Sequence, residues 1–149
     1  KIRLNIPFAE FGDQDGSKAK EEANKVKNII NNSGKNIQLE VSHNFLNHED
    51  ILNFLHQNDI NLFLYDPHET RSLSSTIDYA LSVKKPIGIS KSWMFRHINK
   101  VSPSILVDET TIPEIINNGI KPLQPLYNIY SNKNLLNKIE SSLTKILNK

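Results

Sequence analysis

The sequence contains no cysteine, which removes disulfides, thiolate nucleophiles and cysteine-ligated zinc together. Any chemistry must therefore use oxygen and nitrogen groups. No apolar run approaches the roughly 18 to 20 residues that cross a bilayer, and the first residues alternate polar and apolar instead of forming a signal-peptide core. No transmembrane segment is expected. Neither sign of charge predominates: the net charge is +2 at pH 7 and the lysines are spread along the chain, so a nucleic-acid partner is not expected. The G-x-G-x-x-G, Walker and G-x-S-x-G patterns are all missing. The five histidines, His43, His48, His56, His68 and His97, form no metal motif. His68-Glu69 begins like a zincin helix, but Ser72 stands where the second histidine belongs. No metal is expected.

What is present is a globular composition of 38% hydrophobic and 23% charged residues in 149 positions. That suits a single domain over 1–149 with one core. Ile2, Leu4, Ile6 and Phe8 alternate with Arg3, Asn5 and Pro7 and predict a strand with one buried face. A polar turn from Gly12 to Gly16 precedes a helix from Ser17 to Gly34, with Ala19, Ala23, Val26 and Ile30 on one stripe. Acidic Asp13 and Asp15 make that turn unsuited to phosphate. Ile37, Leu39 and Val41 predict a second strand, and Asn47 with Asp50 starts a second helix.

The apolar run Ile60 to Tyr65 reads as a strand covered on both faces, at the centre of a sheet. A helix over Ser75 to Val83 stops before Pro86, and Ile87–Ile89 and Ile105–Val107 predict the fourth and fifth strands. Thr111 and Glu114 stand at capping-box spacing before a short helix. Lys121 to Tyr130 reads as a proline-containing loop. An amphipathic helix follows, with Leu135, Leu136, Ile139, Leu143 and Ile146 on one face. The expected class is α/β, a doubly wound, Rossmann-like parallel sheet of about five strands with helices on both faces. In such sheets ligands bind beyond the C-terminal strand ends.

Two segments reach that edge. Asp66 to Ala80 carries Glu69, Arg71, Ser74, Ser75, Thr76 and Asp78, a mixture of cation, hydroxyl donors and acids that suits a phosphate and sugar hydroxyls. The same residues also suit a structural role, with Ser74 or Ser75 as a cap and Asp78 as an acid of the first helical turn. Ser90 to His97 carries Lys91, Ser92, Trp93, Arg96 and His97, which would neutralise phosphate and stack on a base. Alternatively Trp93, Met94 and Phe95 simply fill the core. His68 and His97 both stand where a general base would be needed.

From Ile37 to Val107 the order of Val41-Ser42 to Leu55, Ile60 to Tyr65, Glu69, Ser75 to Val83 and Lys85-Pro86-Ile87-Gly88-Ile89 resembles the C-terminal, donor-binding domain of GT-B-type glycosyltransferases of the polysaccharide-building kind. The resemblance implies a nucleoside-diphosphate sugar as substrate, no cofactor and no metal. It places Glu69 at the donor sugar and Asp78 at the nucleotide ribose. By position alone, His97 is the second catalytic candidate. Arg71, Ser74, Ser75, Thr76, Lys91, Ser92 and Arg96 would hold the donor and its phosphates. It further implies an N-terminal acceptor domain in a longer bacterial protein, in keeping with a chain that opens on Lys1 inside a strand, and a cytoplasmic site of action reaching the periphery of the inner membrane. A second resemblance, through Ser75-Thr76-Ile77-Asp78-Tyr79-Ala80 and Lys85-Pro86, is to nucleoside deoxyribosyltransferase-like domains, whose catalytic glutamate would fall on Thr76. The other alternative is a non-catalytic, flavodoxin-like interaction module that docks through Trp93 to Arg96 or through the C-terminal helix.

Overall fold

The alternation at the start of the chain forms β1 (Ile2–Asn5), and Pro7, which has no N–H to offer a ladder, follows its end. The structure is a computed structural model that describes residues 1–8, 12–67 and 72–147. These divide into two compact units, Lys1–Asp50 and Ile51–Lys149.

In the first unit β1 is joined through α1 (Ser17–Asn32) to β2 (Leu39–Ser42), a parallel pair in the register Ile2 to Leu39 through Asn5 to Ser42. Ala19 and Ala23 are the buried residues of the α1 stripe. The start of α1 is closed by its own loop. Asp13 accepts hydrogen bonds from the backbone N–H of Lys18 at 2.8 Å and of Ala19 at 2.9 Å, and Asp15 accepts one from that of Ser17 at 3.1 Å. Gly16 enters the helix at φ 69°, and a Cβ there would collide with the Phe8 ring. Both constraints require glycine at that position.

The second unit holds most of α2 (His48–His56), then β3 (Asn61–Phe63), α3 (Thr76–Ser82) and β4 (Ile87–Ile89). α2 starts as expected, with Asn47 Oδ1 accepting from the Asp50 N–H at 3.0 Å. β3 and β4 pair in parallel, and a single bridge joins Ile89 to Leu106 on the far side of β4. Buried Asn61 ties α2 to β3: its Nδ2 donates to the Leu55 carbonyl at 3.2 Å and its Oδ1 accepts from Asn58 at 2.8 Å. A buried amide whose nitrogen and oxygen are both paired avoids the cost of an unpaired polar group. The core around the β3–β4 pair contains Ile77, Ala80, Ile87, Ile89, Phe95 and Ile105.

Helix α4 (Ile112–Asn118) carries the complete capping box of Thr111 and Glu114, with Pro113 in its first turn and Gly119 at its end. The segment expected as a loop is instead a 3₁₀ turn (Lys121–Leu123) running into α5 (Gln124–Ile129). Pro122 and Pro125 occupy first-turn positions, where the missing N–H costs nothing. α6 (Asn132–Leu147) ends the described chain.

The alternation of strands and helices is therefore α/β, but the expected doubly wound sheet of about five strands is not formed. The described strands make two separate two-stranded parallel sheets, and Ile105–Val107 supplies a bridge instead of a fifth strand. The cause is visible in the side chains. A doubly wound sheet needs both faces apolar, yet β1 and β2 register Arg3 against Glu40, with the Arg3 Nε 3.6 Å from Glu40 Oε2. One face of that pair is polar. The reading of Ile60 to Tyr65 as a strand covered on both sides is corrected in the same way: Asn61 and Phe63 are buried, whereas Leu62 and Leu64 are 39% and 62% exposed. Replacing Asp13 by alanine leaves two α1 amides unpaired, and urea denaturation should show the unit losing about 1–2 kcal/mol of stability.

Candidate functional site

Parallel pairing of β3 and β4 sends both chains out at the same edge, and the backbone beyond them stays joined. The Ser90 N–H donates to the Phe63 carbonyl at 3.1 Å, and the Ser90 hydroxyl donates to the Tyr65 carbonyl at 2.6 Å. One step further, the Ser92 hydroxyl donates to the Asp66 carbonyl at 2.9 Å. The same Ser92 oxygen caps the 3₁₀ turn Trp93–Phe95 by accepting from the Met94 N–H. The start of the α3 segment joins this framework through the Ser74 N–H, which donates to the Met94 carbonyl at 3.2 Å. The two segments singled out in the sequence are thus brought together.

Their residues divide by role. Ser92 is buried at 2% exposure with its hydroxyl committed inside the protein, and Ser74 is buried at 6%. Both build the edge instead of facing a ligand. Ser75 is exposed and makes no side-chain cap, and Thr76 is half-buried as the first residue of α3. Asp78 is exposed in the first turn of that helix. With only seven residues and an acid already in its first turn, α3 offers little positive end to an anion. Cationic charge comes instead from Lys91, which is exposed, and from Arg96. The Arg96 guanidinium lies 5.1 Å from the centre of the Trp93 ring and donates through Nη1 to the Trp93 carbonyl at 2.9 Å. Trp93 itself is 49% exposed. Of the aromatic pair, only Phe95 enters the core, where its ring centre lies 5.0 Å from that of Tyr65. Trp93 and Arg96 together form a stacked cationic platform at the rim.

His97 completes the group. Its Nδ1 is buried with no hydrogen-bond partner among the described residues. Burial holds its imidazole below the ordinary histidine range; the negative charge of Asp78 pulls the other way and Arg96 adds to the depression. An imidazole kept neutral at the physiological pH is a proton acceptor. Glu69, Arg71 and His68 lie outside the described residues. Among the described residues no group of three or more histidine, aspartate and glutamate side chains is placed to hold a metal ion, and no helix is long and apolar enough to cross a membrane.

The first unit holds a cluster that the sequence reading passed over. The rings of Phe8 and His43 stack at 5.1 Å, Lys20 Nζ lies 5.2 Å from the centre of the Phe8 ring, and His43 Nδ1 donates to the Ile6 carbonyl at 2.8 Å. Phe8 and His43 each follow a strand end, and that shared position is the signal that would have found them. The loop beside them turns its carboxylates onto the α1 amides, so the donors a phosphate would use are already occupied.

The His97 depression has a sign that can be checked. The unfolded chain takes up a proton near pH 6.5 while the folded one resists it, so His97 favours folding fully above that pH. Stability should fall as pH drops through the unfolded value towards the lower folded one. Thermal unfolding followed from pH 8 to pH 5 should show this decline, and His97→Gln should flatten it. Comparison of the chain with known protein families, with curated proteins and with solved structures finds no match in any of the three.

Proposed function

We propose that the edge beyond β3 and β4 binds a nucleoside-diphosphate sugar, and that the chain is the donor-binding part of a bacterial glycosyltransferase. The enzyme would pass the sugar to a glycan or lipid-linked acceptor held by a further domain, in the cytoplasm or at the periphery of the inner membrane. The observation that carries this reading is the joining of the Ser74 to Asp78 and Ser90 to His97 segments at one parallel-strand edge, through the Ser74 to Met94 hydrogen bond of 3.2 Å. C-terminal strand ends are where open α/β structures hold nucleotides.

The roles follow from the chemistry at each position. Trp93 presents an exposed ring on which a base can stack. Lys91 and Arg96 supply charge for a diphosphate, and Arg96 is held in place by its stacking on Trp93. Ser75 and Thr76 carry hydroxyl donors on the opposite segment, and Asp78 is an acceptor for ribose hydroxyls. By the resemblance to GT-B donor domains, Glu69 would approach the donor sugar; Arg71, a cation in the same segment, would serve the phosphates. His97 can take or hold a proton at the sugar end. Ser74 and Ser92 act through the backbone they tie together.

Calorimetric titration with a panel of nucleoside diphosphates and their sugars tests this. Saturable binding in the micromolar to millimolar range is expected, and Lys91→Ala and Asp78→Ala should each weaken it by roughly tenfold, about 1.4 kcal/mol. Binding of no panel member at millimolar concentration would remove the reading.

A further inference from the structure

A long apolar face of the chain is one that the proposed nucleotide edge does not use. Along α6, Leu135, Leu136, Ile139, Leu143, Ile146 and Leu147 remain between 46% and 81% exposed, and none of its residues is buried. At 3.6 residues per turn these six side chains fall within an arc of about 120°. Together they leave on the order of 600 Å² of apolar surface in one stripe, the upper end of what a monomer ordinarily shows water. Two such stripes covered along their whole length, Ile146 and Leu147 included, would remove on the order of 1,200 Å² from solvent, where specific interfaces begin.

The spacing inside the stripe favours another helix as the cover. Leu136, Ile139, Leu143 and Ile146 recur at intervals of three, four and three, the a and d positions of two heptads, and Lys133 and Glu140 are then both e positions. Neither has an ion-pair partner in its own chain among the described residues. In an antiparallel pair, e positions face e positions. When Leu136 of one copy opposes Ile139 of the other, Lys133 stands beside the second copy's Glu140, and twofold symmetry repeats the pair. Sliding one heptad to the fullest overlap would set Glu140 against its own mate. A parallel pair matches e with g, here Leu135 and Ser142, and makes no ion pair. The charge pattern therefore selects one geometry. It leaves Ile146 and Leu147 reaching past the second helix's start, where Ile129 and Tyr130 are 48% and 57% exposed.

We propose that α6 is a self-association surface that pairs with a second copy of this chain, antiparallel, with Leu136 and Ile139 at its centre and two Lys133–Glu140 contacts at its flank. The proposal is independent of the nucleotide reading, since α6 shares no residue with that edge.

Sedimentation velocity from 1 to 500 μM tests it. The expected result is a concentration-dependent rise from the 17.0 kDa chain mass to twice that value. Ile139→Glu should abolish the rise, and circular dichroism should show the fold intact because that side chain supports no core. Lys133→Glu and Glu140→Lys should each weaken association by roughly tenfold at low salt, and the double exchange should return it to within about threefold of the parent. A monomer at every concentration overturns the proposal, as does association indifferent to these reversals. A monomer that instead floats with phosphatidylglycerol vesicles, more strongly after Glu140→Lys, assigns the stripe to a bilayer surface and equally overturns it.

Discussion

The pairing of β4 on both sides is the interaction on which the second unit depends. Ile87, Gly88 and Ile89 are all buried, β3 runs along one side, and the Ile89 N–H and carbonyl bond to Ile105 and Val107 on the other, each at 3.0 Å. The strand packs closely at Gly88, where a Cβ would press on Leu62 Cδ2 at 2.6 Å and Val107 Cγ1 at 3.3 Å. A strand of three residues has few ladder bonds of its own. Its position is fixed by complete burial, which makes each backbone hydrogen bond obligatory.

That constraint extends outward to the candidate site. Once β3 and β4 are locked in register, Ser90 and Ser92 use their hydroxyls to hold the chain beyond β3, and the 3₁₀ turn lays Phe95 into the core. Trp93 and Arg96 are the residues left outside, and they are left there together. The site is polar where serines have finished building it and cationic where a ligand would arrive. Across from it, the negative charge of Asp78 acts on His97, so protonation of the histidine would also respond to the charge of any bound anion.

Much of this was legible in the residues. The capping box of Thr111 and Glu114 was readable because both halves of the motif lie within four residues and need no tertiary partner. The alternation of strands and helices was readable for the same reason. The sheet was not, because strand count was inferred from apolar runs alone. Arg3 opposite Glu40 and the exposed Leu62 and Leu64 show that an apolar run can have one wet face, and that information lies in the pairing. α5 was missed because prolines were read as loop markers when Pro122 and Pro125 open helical turns. At the candidate site Ser74 and Met94 of the two segments meet, but Ser92 could not be separated from Ser75 by sequence. Only the hydrogen bond to the Asp66 carbonyl distinguishes a hydroxyl that builds from one that is offered.

The central claim is that ligand binding belongs to the β3–β4 edge and that the α1 start is closed by Asp13 and Asp15. Backbone amide shifts of the ¹⁵N-labelled chain, followed during titration with a nucleoside diphosphate, address both halves at once. Shifts confined to Asp66, Pro67-adjacent residues, Ser72 to Asp78 and Ser90 to His97 are predicted, with Gly12 to Lys20 unmoved. Shifts centred on Gly12 to Lys20, or none at saturating nucleotide, would contradict the account.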